Sequence, residues 1–269
     1  MEGTAVLGGL AARAPLPWRE ATIRAVRSET PRAKTLVLDV PGWPGHAAGQ
    51  HVDIRLTAED GYQAQRSYSI ASAPGSPDLE LTVERLEDGE VSPYLTEDAL
   101  PGDGFELRGP IGGYFVWDPA RHEPLLLVGG GSGLVPLMAM LRQRRDTAAT
   151  VDARLLLSAR TLEDVLYRDE LDELAMDGAV AESTAGRGQG HPVDVRITLT
   201  RGDPPPGWEG FARRIDREML ADLGPPASER PLVYVCGPTP FVEEAARLLV
   251  ELGHEPARVH TERFGPTGG

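Results

Sequence analysis

The 269-residue sequence has one cysteine, Cys236, and one lysine, Lys34. A lone thiol excludes an internal disulfide. These residues by themselves also cannot supply the four thiolates of a plant-type 2Fe–2S cluster. No apolar run reaches the roughly 18 residues expected of a transmembrane helix. Basic charge is in deficit too: the net charge is −14, and acidic residues outnumber basic ones on both sides of residue 120. That balance argues against a nucleic-acid-binding domain and against adhesion to anionic membranes. An anionic cofactor would need local arginines working against the global field. The apolar stretch around Ala5–Ala12 has no basic region ahead of it, so no signal peptide is expected, and the cytoplasm is the expected location.

Hydrophobic content of 41% and charged content of 25% are globular values, and the length suits one large domain or two ordinary ones. From Trp18 to about Trp117 the pattern is β. The segments Ala21–Arg27, Thr35–Val40, His51–Leu56, Arg66–Ile70, Leu79–Arg85 and Gly104–Arg108 are short and separated by turn residues. Six such strands suggest a closed antiparallel barrel. One helical piece, Ser92–Leu100, interrupts them, with Ser92 and Pro93 at its start.

Beyond Pro124 apolar strands alternate with helical patterns. Strands are expected at Leu125–Val128, Ala153–Leu157, Arg196–Thr200 and Leu232–Val235. Helices are expected at Leu134–Arg145, Thr161–Met176 and Pro240–Leu252. This reads as a doubly wound parallel sheet. The chain divides into an N-terminal extension (1–17), a barrel (18–120) and an α/β domain (121–269).

Three segments carry chemistry. Val128-Gly129-Gly130-Gly131-Ser132-Gly133-Leu134-Val135-Pro136 joins a strand to a helix, where glycines let a pyrophosphate approach the backbone. A structural βα turn would look similar, and Pro136 stands where the usual dinucleotide fingerprint has Gly or Ala. Val235-Cys236-Gly237-Pro238 follows the last apolar strand and would face the same crevice, although a lone cysteine is more often a buried structural residue. Arg66-Ser67-Tyr68-Ser69 puts an arginine and a ring on one strand face with hydroxyls beside them; a solvated polar face has the same composition.

Taken together, in this order and within a barrel-then-α/β layout, the three segments resemble the ferredoxin–NADP reductase superfamily. The likeness spans roughly residues 18 to 266. It implies an N-terminal antiparallel six-stranded FAD-binding barrel followed by a doubly wound, parallel-sheet NAD(P)-binding domain, with FAD and NADPH as cofactors and NADH as a possible donor. It further implies that Arg66, Ser67, Tyr68, Ser69, Val83, Arg85, Gly89, Val91, Ser92 and Phe264 contact FAD. Of these, Arg66 would meet the pyrophosphate, Tyr68 would lie against the isoalloxazine and Ser69 would lie near the hydride-accepting nitrogen. For NADP it implies Gly130, Gly131, Ser132, Gly133, Pro136, Ser158, Arg160, Thr200, Arg201, Arg214, Cys236, Gly237 and Pro238, with the arginines directed to the 2′-phosphate. Ser69, Cys236 and Glu262 would gather at the hydride-transfer point. No metal is expected.

The resemblance implies an NAD(P)H-dependent flavin oxidoreductase that passes electrons to a separate carrier such as a ferredoxin. A reductase of free flavin or another small acceptor is a second reading. A third, from another class, is a flavin- or nucleotide-binding electron-transfer or regulatory subunit without turnover.

Overall fold

The structure is a computed structural model in which residues 16–180 and 192–265 are described. The expected N-terminal extension lies outside the described residues as far as residue 15, as do residues 266–269. Six strands come first: β1 (Trp18–Thr30), β2 (Ala33–Asp39), β3 (His51–Thr57), β4 (Gln63–Ser69), β5 (Leu79–Glu84) and β6 (Gly104–Ile111). Their order is β4-β3-β6-β1-β2-β5, with every neighbouring pair antiparallel. Alternate residues such as Ile23, Leu36, Ile54, Leu81 and Leu107 fill the interior, as a pleated strand with one buried face requires. The two edge strands meet where β4 ends: Ile70 bridges to Leu81, and the Ala71 amide donates to Glu80 O at 2.8 Å. This contact closes the six strands into a barrel. Tyr94–Asp98 forms a π-helical turn over one barrel end, with Leu95 buried beneath it.

The second unit comprises β7 (Leu125–Gly130), α1 (Leu134–Asp146), β8 (Ala153–Ala159), α2 (Arg168–Val180), β9 (Val193–Leu199), α3 (Arg217–Leu223), β10 (Leu232–Pro238), α4 (Thr239–Glu251) and β11 (Val259–Phe264). The parallel sheet runs β11-β10-β7-β8-β9. Alternation along β7 and β8 sends Leu125, Leu127, Leu155 and Leu157 to one face with α1 and α2. Leu126, Val128 and Leu156 go to the other with α3 and α4. Helices thus cover both faces, as expected of a doubly wound sheet.

The structure differs from the expected elements in three places. First, the sheet has a fifth strand, β11. It sits at an edge and buries only Val259 fully, so it lacks the apolar run that marks a central strand. Second, the helix α3 was missed. It is only seven residues long, and Asp216 caps it by accepting from the Met219 amide at 2.9 Å. Third, the helix expected from Thr161 begins at Arg168. Thr161 does form a capping box with Asp164, but this starts only a 3-10 turn. Tyr167, at φ 53°, then redirects the chain.

Helix α1 lies between the sheet and the barrel. Its residues from Leu134 to Leu141 are all buried, and Ala33, Ala48, Ala71, Phe115 and Trp117 share their core. A helix that is apolar all round needs a partner on every side; here the barrel supplies the second one. From the same helix Arg142 donates to Ala71 O at 2.7 Å and grips Glu170 of α2 through Nε (2.9 Å) and Nη2 (2.5 Å). The Tyr167 hydroxyl reaches Thr82 of β5, and the Tyr234 hydroxyl donates to Val116 O at 2.8 Å. Among the described residues no helix is long and apolar enough to cross a membrane.

Candidate active site

The chain winds from β7 outwards to β9 and then returns to place β10 on the other side of β7. At such a reversal the loops leaving the strand ends diverge and open a crevice. The ends of β7 and β10 carry Gly129-Gly130 and Cys236-Gly237 in register. The two turns touch: a Cβ on Gly133 would lie 2.1 Å from Cys236 O, and one on Gly237 would lie 3.3 Å from Gly130 Cα. Only glycine permits this approach. Gly131, at φ +55°, turns towards the barrel, where a Cβ would lie 3.7 Å from Glu84 Oε2. Ser158 pairs with Gly130 across the β7–β8 ladder.

From the barrel side, Ser69 ends β4 and pairs with His51. His51 Nδ1 lies 3.5 Å from Glu262 Oε1, and Glu262 pairs with Cys236 across the β10–β11 ladder. Ser69, His51, Glu262 and Cys236 therefore bridge barrel and sheet at the crevice. His51 escaped the sequence reading. One histidine at a strand start has no local signature, and only cross-strand pairing with Ser69 brings it to the site.

Cys236 is 2% exposed. Burial, and secondarily the Glu262 carboxylate, push its thiol well above the ordinary range, so it stays protonated at neutral pH. A buried, protonated thiol is a poor nucleophile. Glu262 Oε2 is buried without a hydrogen-bond partner. Such an orphan acceptor is costly unless a ligand satisfies it, and the carboxamide of a nicotinamide is a donor of the right chemistry. Tyr68 is half-buried, and burial raises its phenol above the ordinary range. The Tyr68 ring packs against the barrel core.

The remaining expected residues are placed less uniformly. Ser67 lies on the opposite strand face and donates to Asp53 at 2.6 Å. Val83 and Val91 are fully buried in the barrel core, so they offer a ligand only their backbone. Arg85 is engaged by Glu87 and Glu97. Ser92 Oγ accepts from the Leu86 amide at 3.1 Å and packs against Gly89. Arg66 meets Glu90 at 2.9 Å. Pro136 is buried in the first turn of α1, and Phe264, 37% exposed, pairs with Pro238 at the crevice edge. Thr200 spends its hydroxyl on Ala159 O at 3.1 Å, and the amides of Thr200 and Arg201 both donate to Arg160 O. Arg160 and Arg201 thus lie side by side at the ends of β8 and β9. Phe211 bridges to Thr198, and the Arg213 carbonyl accepts from the Thr198 hydroxyl, so the chain around Arg214 passes beside β9.

Residues 25–116 match the oxidoreductase FAD-binding domain and residues 127–247 the oxidoreductase NAD-binding domain. Ferredoxin–NADP reductase B of Sorangium cellulosum is 36% identical over 258 residues, covering 91% of this chain and 97% of that protein. The glycine betaine monooxygenase reductase subunit of Chromohalobacter salexigens is 34% identical over 222 residues, 81% of this chain; the match spans 56% of that longer protein. Among solved structures, the FAD/NAD-binding domain of nitric oxide dioxygenase from Vibrio cholerae O1 biovar El Tor has the same fold. Its TM-score is 0.77 at 24% identity, over 92% of this chain and 99% of that one. With the barrel, the sheet and the crevice between them, these matches make the chain a member of the ferredoxin–NADP reductase superfamily of flavoprotein NAD(P)H reductases.

Proposed function

We propose that the protein takes a hydride from NADPH in preference to NADH, through FAD, and delivers electrons to a separate one-electron carrier such as a ferredoxin. The observation that carries this reading is the crevice where Ser69, His51, Cys236 and Glu262 converge from two units, with Glu262 Oε2 awaiting a partner. In this reading the chain divides near residue 120, with the flavin on the barrel side and the nicotinamide nucleotide on the sheet side.

FAD, when bound, couples two-electron acceptance to one-electron release. Arg66 holds the pyrophosphate, Tyr68 supports the ring system and Ser69 donates at its reactive edge. The backbones of Val83, Gly89 and Val91 flank it, with Ser92 stabilising the loop they form. Ser67 acts indirectly by fixing β4 to Asp53, Arg85 by tying its loop to Glu97, and Phe264 borders the ring site. Gly130, Gly131, Ser132 and Gly133 cradle the second pyrophosphate, while Pro136 and Ser158 shape the turn around it. Cys236, Gly237 and Pro238 seat the nicotinamide, and Glu262 receives its carboxamide. None of these groups needs to move a proton. Their work is to hold donor and acceptor rings face to face with water excluded.

The NADPH preference draws support from charge. Most arginines among the described residues are paired with a carboxylate, whereas Arg160, Arg201 and Arg214 make no ion pair there. Three unneutralised guanidinium groups at one sheet edge of an acidic protein suit a 2′-phosphate. Arg213 is committed to Asp216 and Glu218. The relatives, a ferredoxin–NADP reductase and an oxygenase reductase subunit, support a separate redox partner.

The purified protein should show a flavin absorbance spectrum that bleaches anaerobically with NADPH faster than with NADH. An unbleached flavin would instead indicate a binding subunit without turnover. Changing Arg201 to Ala should raise KM for NADPH about 10- to 100-fold, the loss of one charge-assisted contact, with little change for NADH. Equal effects on both donors would remove the NADPH assignment.

A further inference from the structure

Arg66 does not face solvent alone. Its Nη2 donates to Glu90 Oε2 at 2.9 Å, and the Tyr62 hydroxyl donates to Glu90 Oε1 at 2.6 Å. Tyr62 comes from the β3–β4 hairpin, where the Ala58 amide donates to Tyr62 O at 2.8 Å. Glu90 comes from the loop after β5. Two separate segments therefore place a carboxylate on the one arginine of the Arg66-Ser67-Tyr68-Ser69 strand.

We infer that Glu90 is an internal anion that occupies Arg66 until the phosphates of a flavin nucleotide displace it, and that it thereby sets the affinity for phosphorylated flavins. The inference rests on the assignment of Arg66 to the flavin pyrophosphate. The Tyr62 hydroxyl, with help from Arg66, holds the Glu90 carboxyl below the ordinary range, so it is charged at neutral pH. A carboxylate and a pyrophosphate cannot share one guanidinium without strong like-charge repulsion. The pair is half-exposed on both sides, so it is weak and breaks at small cost. A pyrophosphate carries more charge and can take the Nη2 edge that Glu90 vacates, while Nη1 stays on Gln65 O at 2.7 Å. Tyr62 and Glu90 also form one wall of a groove of about 810 Å³ that continues to Tyr94 and Phe105. The displaced side chain thus moves into open space and not into packed core.

The test titrates the full-length protein, stripped of flavin, with FAD, FMN and riboflavin, following flavin fluorescence for the wild type, Glu90→Gln and Tyr62→Phe. Glu90 is exposed, so its replacement leaves the fold intact. Glu90→Gln should tighten FAD and FMN about three- to tenfold, as removal of one competing surface charge allows, and leave riboflavin unchanged. Tyr62→Phe keeps the charge but unties it, and should shift FAD in the same direction by less. Weaker FAD binding by Glu90→Gln would overturn the inference, because Glu90 would then be a ligand of the flavin's hydroxyls. An equal shift for riboflavin, or no shift for any flavin, would overturn it as well. A wild-type protein that binds none of the three flavins would instead overturn the flavoprotein reading on which the inference stands.

Discussion

Replacing Gly133 with alanine is expected to slow the bleaching of bound flavin by NADPH about a hundredfold or more, while the flavin spectrum itself remains. The added methyl carbon would sit 2.1 Å from Cys236 O, 2.4 Å from its carbonyl carbon and 2.7 Å from the Gly237 amide nitrogen. All three are backbone atoms between two strand ends, so neither side can yield without moving a turn. A shift of about 1 Å is enough to spoil a hydride-transfer geometry. The overpacking should also cost about 1–3 kcal/mol of stability in the sheet domain. Gly129→Ala is the matched control. Its methyl group would meet the end of the Leu137 side chain at 3.2 Å, a contact that a rotamer adjustment relieves, and its rate should fall much less. Rapid-mixing absorbance under anaerobic conditions measures both variants. If Gly133→Ala bleached at the wild-type rate, the meeting of these two turns would not be where the nicotinamide binds.

The second large effect is expected from Arg142→Ala. Arg142 is 9% exposed and is the cation of a site shared by α1, α2 and the barrel. Removing it leaves Glu170 partly buried without its main counter-charge and Ala71 O without its donor. Breaking such a pair from one side costs about 3–5 kcal/mol. Removing both partners, in Arg142→Met with Glu170→Met, should cost clearly less, since no uncompensated charge remains. Denaturant unfolding of Arg142→Met, Glu170→Met and the double checks this, and additive losses would argue against a coupled pair.

The pH dependence has a definite sign. Burial alone would raise the Glu170 carboxyl, but hydrogen bonds and charge from Arg142, with help from Arg145, outweigh it and hold the group below its ordinary 4.5. A carboxyl depressed in the folded state stabilises the fold above its unfolded value and loses that contribution as pH falls through the folded one. The stability gap between wild type and Arg142→Ala should therefore be full at neutral pH and narrow below about pH 4.5.

Much of this architecture was legible because it repeats simple periods. The barrel strands alternate, and β7, β8 and β10 are apolar runs, so six strands followed by a parallel sheet could be read directly. What escaped depended on long-range partners. β11 is polar because an edge strand with Tyr114 over it does not need an apolar face on both sides; the Tyr114 hydroxyl reaches Val259 O at 3.3 Å. Helix α1 was legible as a helix, but its burial on every side depends on the barrel packed against it. In the site, the glycine turn and the Cys236 turn were visible as motifs, but their contact was not. The engagement of Arg66 by Glu90, of Arg85 by Glu97 and of Ser67 by Asp53 likewise depends on residues 12 to 24 positions away, and no local pattern reports such pairs.

Among the described residues, the bridge that closes the barrel, Ile70 to Leu81, leaves the rest of the β4 and β5 edges without a strand between them. Unpaired sheet edges are templates on which another chain can grow, and proteins usually blunt or cover them. The segment Arg66-Ser67-Tyr68-Ser69 lies along one lip of this seam and Val83-Glu84 along the other. A flat cofactor laid into the seam would take the place of a seventh strand. Whatever covers the seam would then also guard the barrel against edge-to-edge self-association.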